Sequence, residues 1–145
     1  MAEVIAGADV PCCLMHNRKE PIYQNFIQDV LADLIESVQL AQKAGIKQDK
    51  IITDPGIGFA KSYEQNLLLL QKLEVLKSLG YPVLLGTSRK SVIGLTLDLP
   101  AHQRINGTIA TTVLGVVKGC SFVRVHDIKE NVQAIKMAEA ILQAV

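Results

Sequence analysis

The sequence predicts an α/β fold in which four strand–helix units build a parallel sheet. Short apolar runs alternate along the chain with longer stretches of helical periodicity. Each apolar run is continuous, as is typical of strands that are buried on both faces. The chain has 145 residues, 49% hydrophobic and 20% charged, which suits one globular domain over residues 1–145.

The first two predicted units occupy the N-terminal part of the chain. The run DVPCCLMH contains the first strand, and a helix over residues 23–44 follows it, with Gly45 as the C-terminal cap. The run KIITDPGIGF contains the second strand. The stretch SYEQNLLLLQKLEVLKSLG is the second helix, in which Ser62 and Gln65 have the spacing of a capping box and Gly80 ends the helix.

The last two predicted units follow in the same pattern. The run YPVLLGTS contains the third strand, and after a loop a helix runs through TIATTVLGVVKG. The segment KSVIG could form the first turn of a further helix. The run SFVRVHD contains the fourth strand, and the helix in IKENVQAIKMAEAILQAV follows it, with Asp127 and Glu130 placed to cap its start.

Polar residues stand at the carboxyl end of every predicted strand. In chain order they are His16, Asn17 and Arg18, then Asp54, then Ser88, Arg89 and Lys90, then Arg124 and His126. In parallel sheets, open or closed into a barrel, ligands bind at this edge. The sequence therefore predicts one shared pocket, with the cations of TSRKS as one wall.

Two interpretations fit Arg124 and His126. They are two residues apart in a strand, so their side chains point to the same face and could hold a phosphate or diphosphate. Alternatively, one of them pairs with a carboxylate such as Asp127 and only closes the strand end. The spacing alone does not separate the two interpretations.

Two interpretations also fit the other strand ends. Asp54 stands before Pro-Gly, so its carboxylate either bonds its own backbone in an Asx turn or accepts N–H groups from a planar heterocycle. Lys90 and Ser91 either bind an anion at a helix start or form a solvated basic turn.

The composition gives no sign of a nucleic-acid or membrane partner. The net charge is +1 with scattered basic residues, no run approaches membrane-spanning length, and MAEVIAGADV lacks the basic start of a signal peptide. Cys12, Cys13 and Cys120 have neither metal-ligand nor redox spacing, so we expect them to be buried. We expect a cytoplasmic protein with no metal site in this chain.

Four segments together resemble the dihydropteroate synthase family of the folate pathway: CLMHNR, DPGIGFAKSYEQNLLLL, YPVLLGTSRKSVIG and RINGTIATTVLGVVKGCSFVRVHDIKE. The resemblance runs from about Val10 to the C-terminus, and the order and spacing of GTSRKS and RVHD are its most specific part. The family is an eight-stranded (β/α) TIM barrel, and these segments match only strands five to eight. The resemblance therefore implies the second half of a barrel, which is consistent with a length well below the roughly 250 residues of a complete one.

The resemblance implies that para-aminobenzoate displaces diphosphate from (7,8-dihydropterin-6-yl)methyl diphosphate, giving 7,8-dihydropteroate. The arylamine is the nucleophile, so no side-chain nucleophile is implied. The implied contacts are Asp54 and Lys90 to the pterin with Met15 packed on it, Arg124 and His126 to the diphosphate, and Phe59 and Ser91 to the para-aminobenzoate end. Sulfonamides would occupy the para-aminobenzoate position.

Further expectations follow from the resemblance. The complete enzyme would use Mg²⁺ with ligands outside this chain, would form a homodimer, and would lose activity when reduced to these residues. One departure is Ala60, where many relatives have glycine after the phenylalanine of GFGK. Two alternatives are a pterin-binding methyltransferase, against which TSRKS argues, and a non-catalytic half-barrel phosphate-binding module.

Overall fold

A computed structural model describes residues 1–144, and its four strands are parallel. The strands are β1 (Cys12–Met15), β2 (Ile51–Asp54), β3 (Leu84–Leu85) and β4 (Phe122–Val123). The helices are α1 (Ala2–Ala8), α2 (Phe26–Lys43), α3 (Tyr63–Gln71), α4 (Ser91–Leu97), α5 (Ile105–Val117) and α6 (Ile128–Leu142). Within the described chain, none of these helices combines the length and apolar character needed to span a membrane.

The strands follow one another in space in the order of the sequence. β1 pairs with β2 along its whole length, and β3 pairs with β4. A parallel bridge between Thr53 and Val83 connects the two pairs, supported by the bond from the Thr53 N–H to the Pro82 carbonyl at 2.9 Å. The predicted α/β architecture with a parallel arrangement is thus confirmed. β3 and β4 are shorter than the apolar runs that predicted them.

Local signals predicted some helix ends well. Ser62 and Gln65 form the capping box that precedes α3, with the Gln65 N–H donating to Ser62 Oγ at 3.2 Å. Gly45 follows α2 with a φ of 95°, a backbone conformation that favours glycine. The second predicted helix is interrupted, because α3 ends at Gln71 and a 3₁₀ segment, Leu73–Leu79, completes it.

Two other predictions about helices were incomplete or wrong. α1 precedes the first strand and was not anticipated. The prediction that Asp127 caps α6 with its side chain is wrong: it stands at the N-cap position without a side-chain capping bond, because its carboxylate is bound by Arg89 instead. The short helix α4 does begin at Ser91, as the KSVIG segment suggested.

One face of the strands carries the aliphatic core. The larger cluster joins the strands to their helices and contains Val30, Leu34, Ile57, Leu69, Leu70, Leu73, Leu76, Val83, Leu85, Val92 and Ile93. The opposite face includes Cys13, Met15 and Phe122, and it is largely open: Met15 is 38% exposed and Phe122 47%. The expectation that all three cysteines are buried is therefore wrong for Cys13, which points to this open face, and Cys12 and Cys120 are only half-buried.

Candidate functional site

Asp54 lies at the carboxyl end of β2 and is only 6% exposed. Its Oδ1 accepts the Gly56 N–H at 2.7 Å, so the Asx-turn bond is present. Oδ2 has no hydrogen-bond partner in the described part of the chain, so the turn does not use the whole carboxylate. Burial raises the pKa of Asp54, while the Gly56 N–H and the charges of Lys90, Arg124 and Lys61 act in the opposite direction.

The loop after β2 depends on left-handed backbone conformations. Gly56 has a φ of 68°, and a Cβ there would overlap the His16 carbonyl, so this position requires glycine. Ala60 has a φ of 45°, a conformation that costs a non-glycine residue roughly 1–2 kcal/mol. The Tyr23 hydroxyl donates to the Ala60 carbonyl at 2.7 Å, which helps to hold this part of the loop.

A buried polar network connects this loop to the end of β1. His16, 2% exposed, donates from Nε2 to Asp33 at 3.0 Å and lies 2.8 Å from Lys61 Nζ through Nδ1. Arg18 donates to both carboxylate oxygens of Asp33, at 2.6 and 3.0 Å. The side chains of Arg18 and His16 are therefore engaged in this hydrogen-bond network, and neither is a free cation at the predicted pocket.

Lys90 folds back over the same loop. Its ammonium donates to the Ile57 carbonyl and lies 4.5 Å from the centroid of the Phe59 ring, a cation–π geometry. Burial lowers the pKa of Lys90, and the nearby Asp54 charge partly opposes this. Lys90 is thus not the solvated basic turn that one interpretation proposed.

The turn between β3 and α4 is bonded to the end of β4. Ser88 Oγ accepts the His126 N–H at 3.1 Å and lies 2.8 Å from His126 Nδ1. Arg89, with a φ of 58°, donates to both carboxylate oxygens of Asp127, at 3.1 and 2.6 Å. This pair holds the pKa of Asp127 below its usual value. Of the two cations in TSRKS, Arg89 is therefore engaged in a structural ion pair.

Two residues that the sequence analysis did not single out support this turn from the outside. Arg104 donates from Nη1 to the Arg89 carbonyl at 2.9 Å and from Nε to the Leu99 carbonyl at 2.8 Å. The fully buried Thr108 accepts the Arg89 N–H at 3.1 Å. These bonds keep the backbone before Lys90 in a left-handed turn.

Arg124 is the exception among the cations at this edge. Its guanidinium makes neither a hydrogen bond nor an ion pair with any residue from 1 to 144, and the alternative partner, Asp127, is occupied by Arg89. Arg124 borders a pocket of about 180 Å³, whose other lining residues are Gly86, Ser88, Lys90, Val125 and His126. An exposed guanidinium beside an ammonium and an imidazole is suited to an anionic group.

The comparison with protein families identifies the family of the chain. Residues 1–126 match the family described as pterin binding enzyme. The chain belongs to this pterin-binding enzyme family. Dihydropteroate synthase of Clostridium beijerinckii is 57% identical over 144 residues, which cover 99% of this chain and 54% of that protein. The chain thus spans about half the length of the curated relatives it matches.

Solved structures agree with the sequence comparison. The dihydropteroate synthase of Clostridium difficile, crystallised in the presence of pteroic acid, has a TM-score of 0.96 and 46% identity, covering 99% of this chain and 55% of that one. The Yersinia pestis enzyme in a sulfonamide drug complex has a TM-score of 0.96 and 35% identity, with the same coverage of 99% and 55%. The four parallel strands and their helices are therefore those of this family.

Within this chain, the predicted site residues take different positions. Asp54, Lys90, Arg124 and His126 gather at the carboxyl edge of the sheet, where the charges of Lys90 and Arg124 act on Asp54. Met15 lies opposite Asp54 in the β1–β2 register. The remaining two residues do not line the Arg124 pocket. Phe59 lies beneath Lys90, and Ser91 is exposed at the first position of α4.

Proposed function

We propose that this chain is the C-terminal half, residues 1–145, of a dihydropteroate synthase TIM barrel. Similarity to such enzymes along nearly the whole chain, but along only about half of theirs, supports this. The open strand face supports it too. In a complete barrel, side chains from all strands fill the interior, so Cys13 and Phe122 would be covered by the other half.

The proposed reaction joins para-aminobenzoate to (7,8-dihydropterin-6-yl)methyl diphosphate. The arylamine nitrogen forms a bond to the methylene carbon, the carbon–oxygen bond to diphosphate breaks, and the amine loses a proton. The observation that carries this proposal is the Arg124 guanidinium, which has no partner among residues 1–144 and lies beside Lys90 and His126, at the edge that also holds the Asp54 carboxylate. Positioning of the amine and stabilisation of the leaving diphosphate would supply the catalysis.

The residue roles follow the geometry. Asp54 would accept N–H groups from the amino-pyrimidine edge of the pterin through Oδ2, which no group in residues 1–144 occupies, and Met15 would pack on the ring. Arg124 and His126 would hold the diphosphate, with Lys90 between it and the pterin. Phe59 and Ser91 would border the para-aminobenzoate end of the site. Sulfonamides, as mimics of that substrate, would bind at the same place.

The family resemblance also implies Mg²⁺. Within residues 1–144, no group of three or more His, Cys, Asp or Glu side chains is arranged to hold a metal ion. The nearest charges acting on Asp54 are the cations Lys90, Arg124 and Lys61, which would repel one. The residues present do not fit the ion, so we propose that its ligands lie outside this chain and assign no step of the reaction to it here.

The test of the proposed function is reconstitution. The 145-residue chain alone is expected to form no dihydropteroate, because half of the barrel mouth is missing. Combined with an N-terminal half of a related synthase, it should regain turnover of dihydropterin diphosphate and para-aminobenzoate, measured by product chromatography. Turnover by the chain alone would contradict the half-barrel proposal. Binding without turnover in the reconstituted protein would instead indicate a non-catalytic module.

Arg124 provides a test of the diphosphate assignment. In the reconstituted protein, Arg124→Ala should weaken binding of the diphosphate substrate roughly 10- to 100-fold, the value of about one charge-assisted contact, and should leave free pterin nearly unaffected. Calorimetric titration with both ligands measures this. Lys47→Ala is the control, since Lys47 pairs with Asp9 at 3.0 Å on the surface and should affect neither ligand. Equal losses for both ligands would make Arg124 structural.

We further propose that the complete enzyme is a cytoplasmic homodimer. The family resemblance supports this assignment, together with exposed apolar side chains on α6, among them Ile128, Met137 and Ile141. Sedimentation equilibrium of the reconstituted protein should give twice the mass of one barrel, and a single-barrel mass at micromolar concentration would contradict it.

A further inference from the structure

Lys61, two residues beyond Phe59, has an ammonium group that three acceptors share. Its Nζ lies 2.8 Å from His16 Nδ1, 3.0 Å from the Gly56 carbonyl and 3.0 Å from the Phe59 carbonyl. An ammonium has three hydrogens, and this geometry uses all of them. The acceptors come from the end of β1 and from two points of the loop after β2, so Lys61 fastens that loop to the neighbouring strand.

The histidine in this arrangement has a defined tautomer. Because Lys61 can only donate, His16 must accept at Nδ1, and its proton therefore lies on Nε2, which donates to Asp33 at 3.0 Å. Burial, followed by the Lys61 charge, lowers the pKa of His16, which keeps the imidazole neutral. Arg18 in turn fixes Asp33 with two hydrogen bonds. His16, the acceptor for Lys61, is thus held in place by Asp33 of α2.

The two loop carbonyls belong to residues that adjoin the proposed ligand contacts. Gly56 donates its N–H to Asp54 Oδ1 at 2.7 Å, so the position of Gly56 governs the direction of that carboxylate. The ring of Phe59 lies beneath the Lys90 ammonium. Phe59 also donates its N–H to the Gly56 carbonyl at 3.0 Å, which closes the loop on itself. Movement of the Lys61 ammonium would therefore disturb both Asp54 and Phe59.

We propose that Lys61 is a positioning residue for pterin binding: through His16 it holds the loop over residues 55–60 so that Asp54 and Phe59 are set before the ligand arrives. It acts through these residues and does not touch the pterin. This inference rests on the proposed function. It predicts that the donor at position 61 and the acceptor at position 16 matter as a pair.

The proton on Lys61 gives the inference a pH dependence. Burial lowers the pKa of this ammonium to about 8, opposed by Asp54 and Asp33 and reinforced by Lys90. These groups face it from β2, α2 and the turn before α4, and His16 faces it from the end of β1. Above pH 8 the neutral amine has two hydrogens for three acceptors. Pterin affinity should therefore fall as the pH rises through this value.

The test compares three substitutions in the complete enzyme. Lys61→Met removes the donor and keeps the length of the side chain. His16→Gln places an amide N–H near Nε2, which can still donate to Asp33 but leaves Lys61 without its acceptor; His16→Asn places an oxygen near Nδ1 and keeps that acceptor. Lys61→Met and His16→Gln should each weaken free pterin binding roughly 10-fold or more, and His16→Asn less. Equal losses for the two histidine variants would overturn the pairing.

Two further readouts separate positioning from general stability. The ratio of wild-type to Lys61→Met affinity should decline towards one between pH 7 and 9.5, because wild-type Lys61 loses its proton over this range. Titration of the ligand and of Lys90 enters both affinities and cancels in the ratio. In the 145-residue chain, Lys61→Met should speed amide hydrogen exchange at Gly56 and Phe59 but not at Arg124, whose N–H bonds the Leu85 carbonyl at 2.9 Å. A constant affinity ratio, or unchanged exchange in the loop, would overturn the inference.

The exchange measurement also distinguishes a failure of the proposed function from a failure of the role assigned to Lys61. If the wild-type complete enzyme binds no pterin, the proposed function fails, and with it the ligand named here. Faster exchange in the loop would then still establish that Lys61 orders residues 55–60.

Discussion

Asp54→Ala is expected to weaken pterin binding by a factor of roughly a hundred to ten thousand. The carboxylate would accept two N–H groups from the pterin, and each hydrogen bond to a charged group contributes roughly 1.5–3 kcal/mol. The structure leaves Oδ2 without a partner among residues 1–144 and allows Oδ1 a second bond beside the Gly56 N–H. Asp54→Asn should cost less, because the amide keeps one acceptor.

The measurement is calorimetric titration of the complete enzyme with a pterin lacking diphosphate. Equal affinity in wild type and both variants would remove Asp54 from the site. The wild type should also lose affinity as the pH falls through the pKa of Asp54, because only the ionised carboxylate accepts both donors. Burial raises this pKa, so the loss should begin at a higher pH than an exposed aspartate would give.

Gly56→Ala is expected to have the second large effect, on the free energy of unfolding. Position 56 has a φ of 68°, and an added Cβ would overlap the His16 carbonyl, a backbone atom that cannot move aside easily. The left-handed conformation alone costs roughly 1–2 kcal/mol, and the overlap should raise the total to about 3 kcal/mol or more.

Gly80→Ala is the matched control for this substitution. Gly80 has a φ of 74°, but a Cβ there would meet no atom of residues 1–144 within 4 Å, so only the conformational cost of roughly 1–2 kcal/mol should remain. Urea unfolding of both variants gives the comparison. Equal destabilisation would mean that the loop shifts away from β1 at little cost, and the close approach of Gly56 to His16 would then have no energetic role.

Local sequence signals predicted most elements of this fold because their partners lie close in the chain. The capping box of Ser62 and Gln65 needs only three residues, and the glycines after α2 and the 3₁₀ segment act at single positions. Asp127 fails as a side-chain cap for the opposite reason: Arg89, 38 residues earlier, competes for its carboxylate. A capping rule that considers only neighbouring residues cannot foresee such a competitor.

In the candidate site too, residues placed by local position could be predicted, and residues placed by distant contacts could not. Strand ends in a parallel sheet meet at one edge, so Asp54, Lys90, Arg124 and His126 could be grouped from their positions alone. Lys61 was missed because its three hydrogen-bond acceptors come from two separate segments, and nothing in its immediate sequence marks it as buried. The sequence also could not show whether Arg89 or Arg124 pairs with Asp127, because the choice depends on the direction of each side chain.

Hydrogen bonds and an ion pair join the turn after β3 to the end of β4. These contacts also affect the order in which the protein can fold as the ribosome makes it. Consecutive strands pair, so the earlier units can assemble as they emerge. Ser88 and Arg89 must nevertheless wait for His126 and Asp127, which follow 38 residues later in each case. Until then Arg89 lacks its carboxylate partner. A nascent chain, or one shortened by a protease before residue 126, would thus lack α6 and a finished Arg124 pocket even where its first three strands have paired.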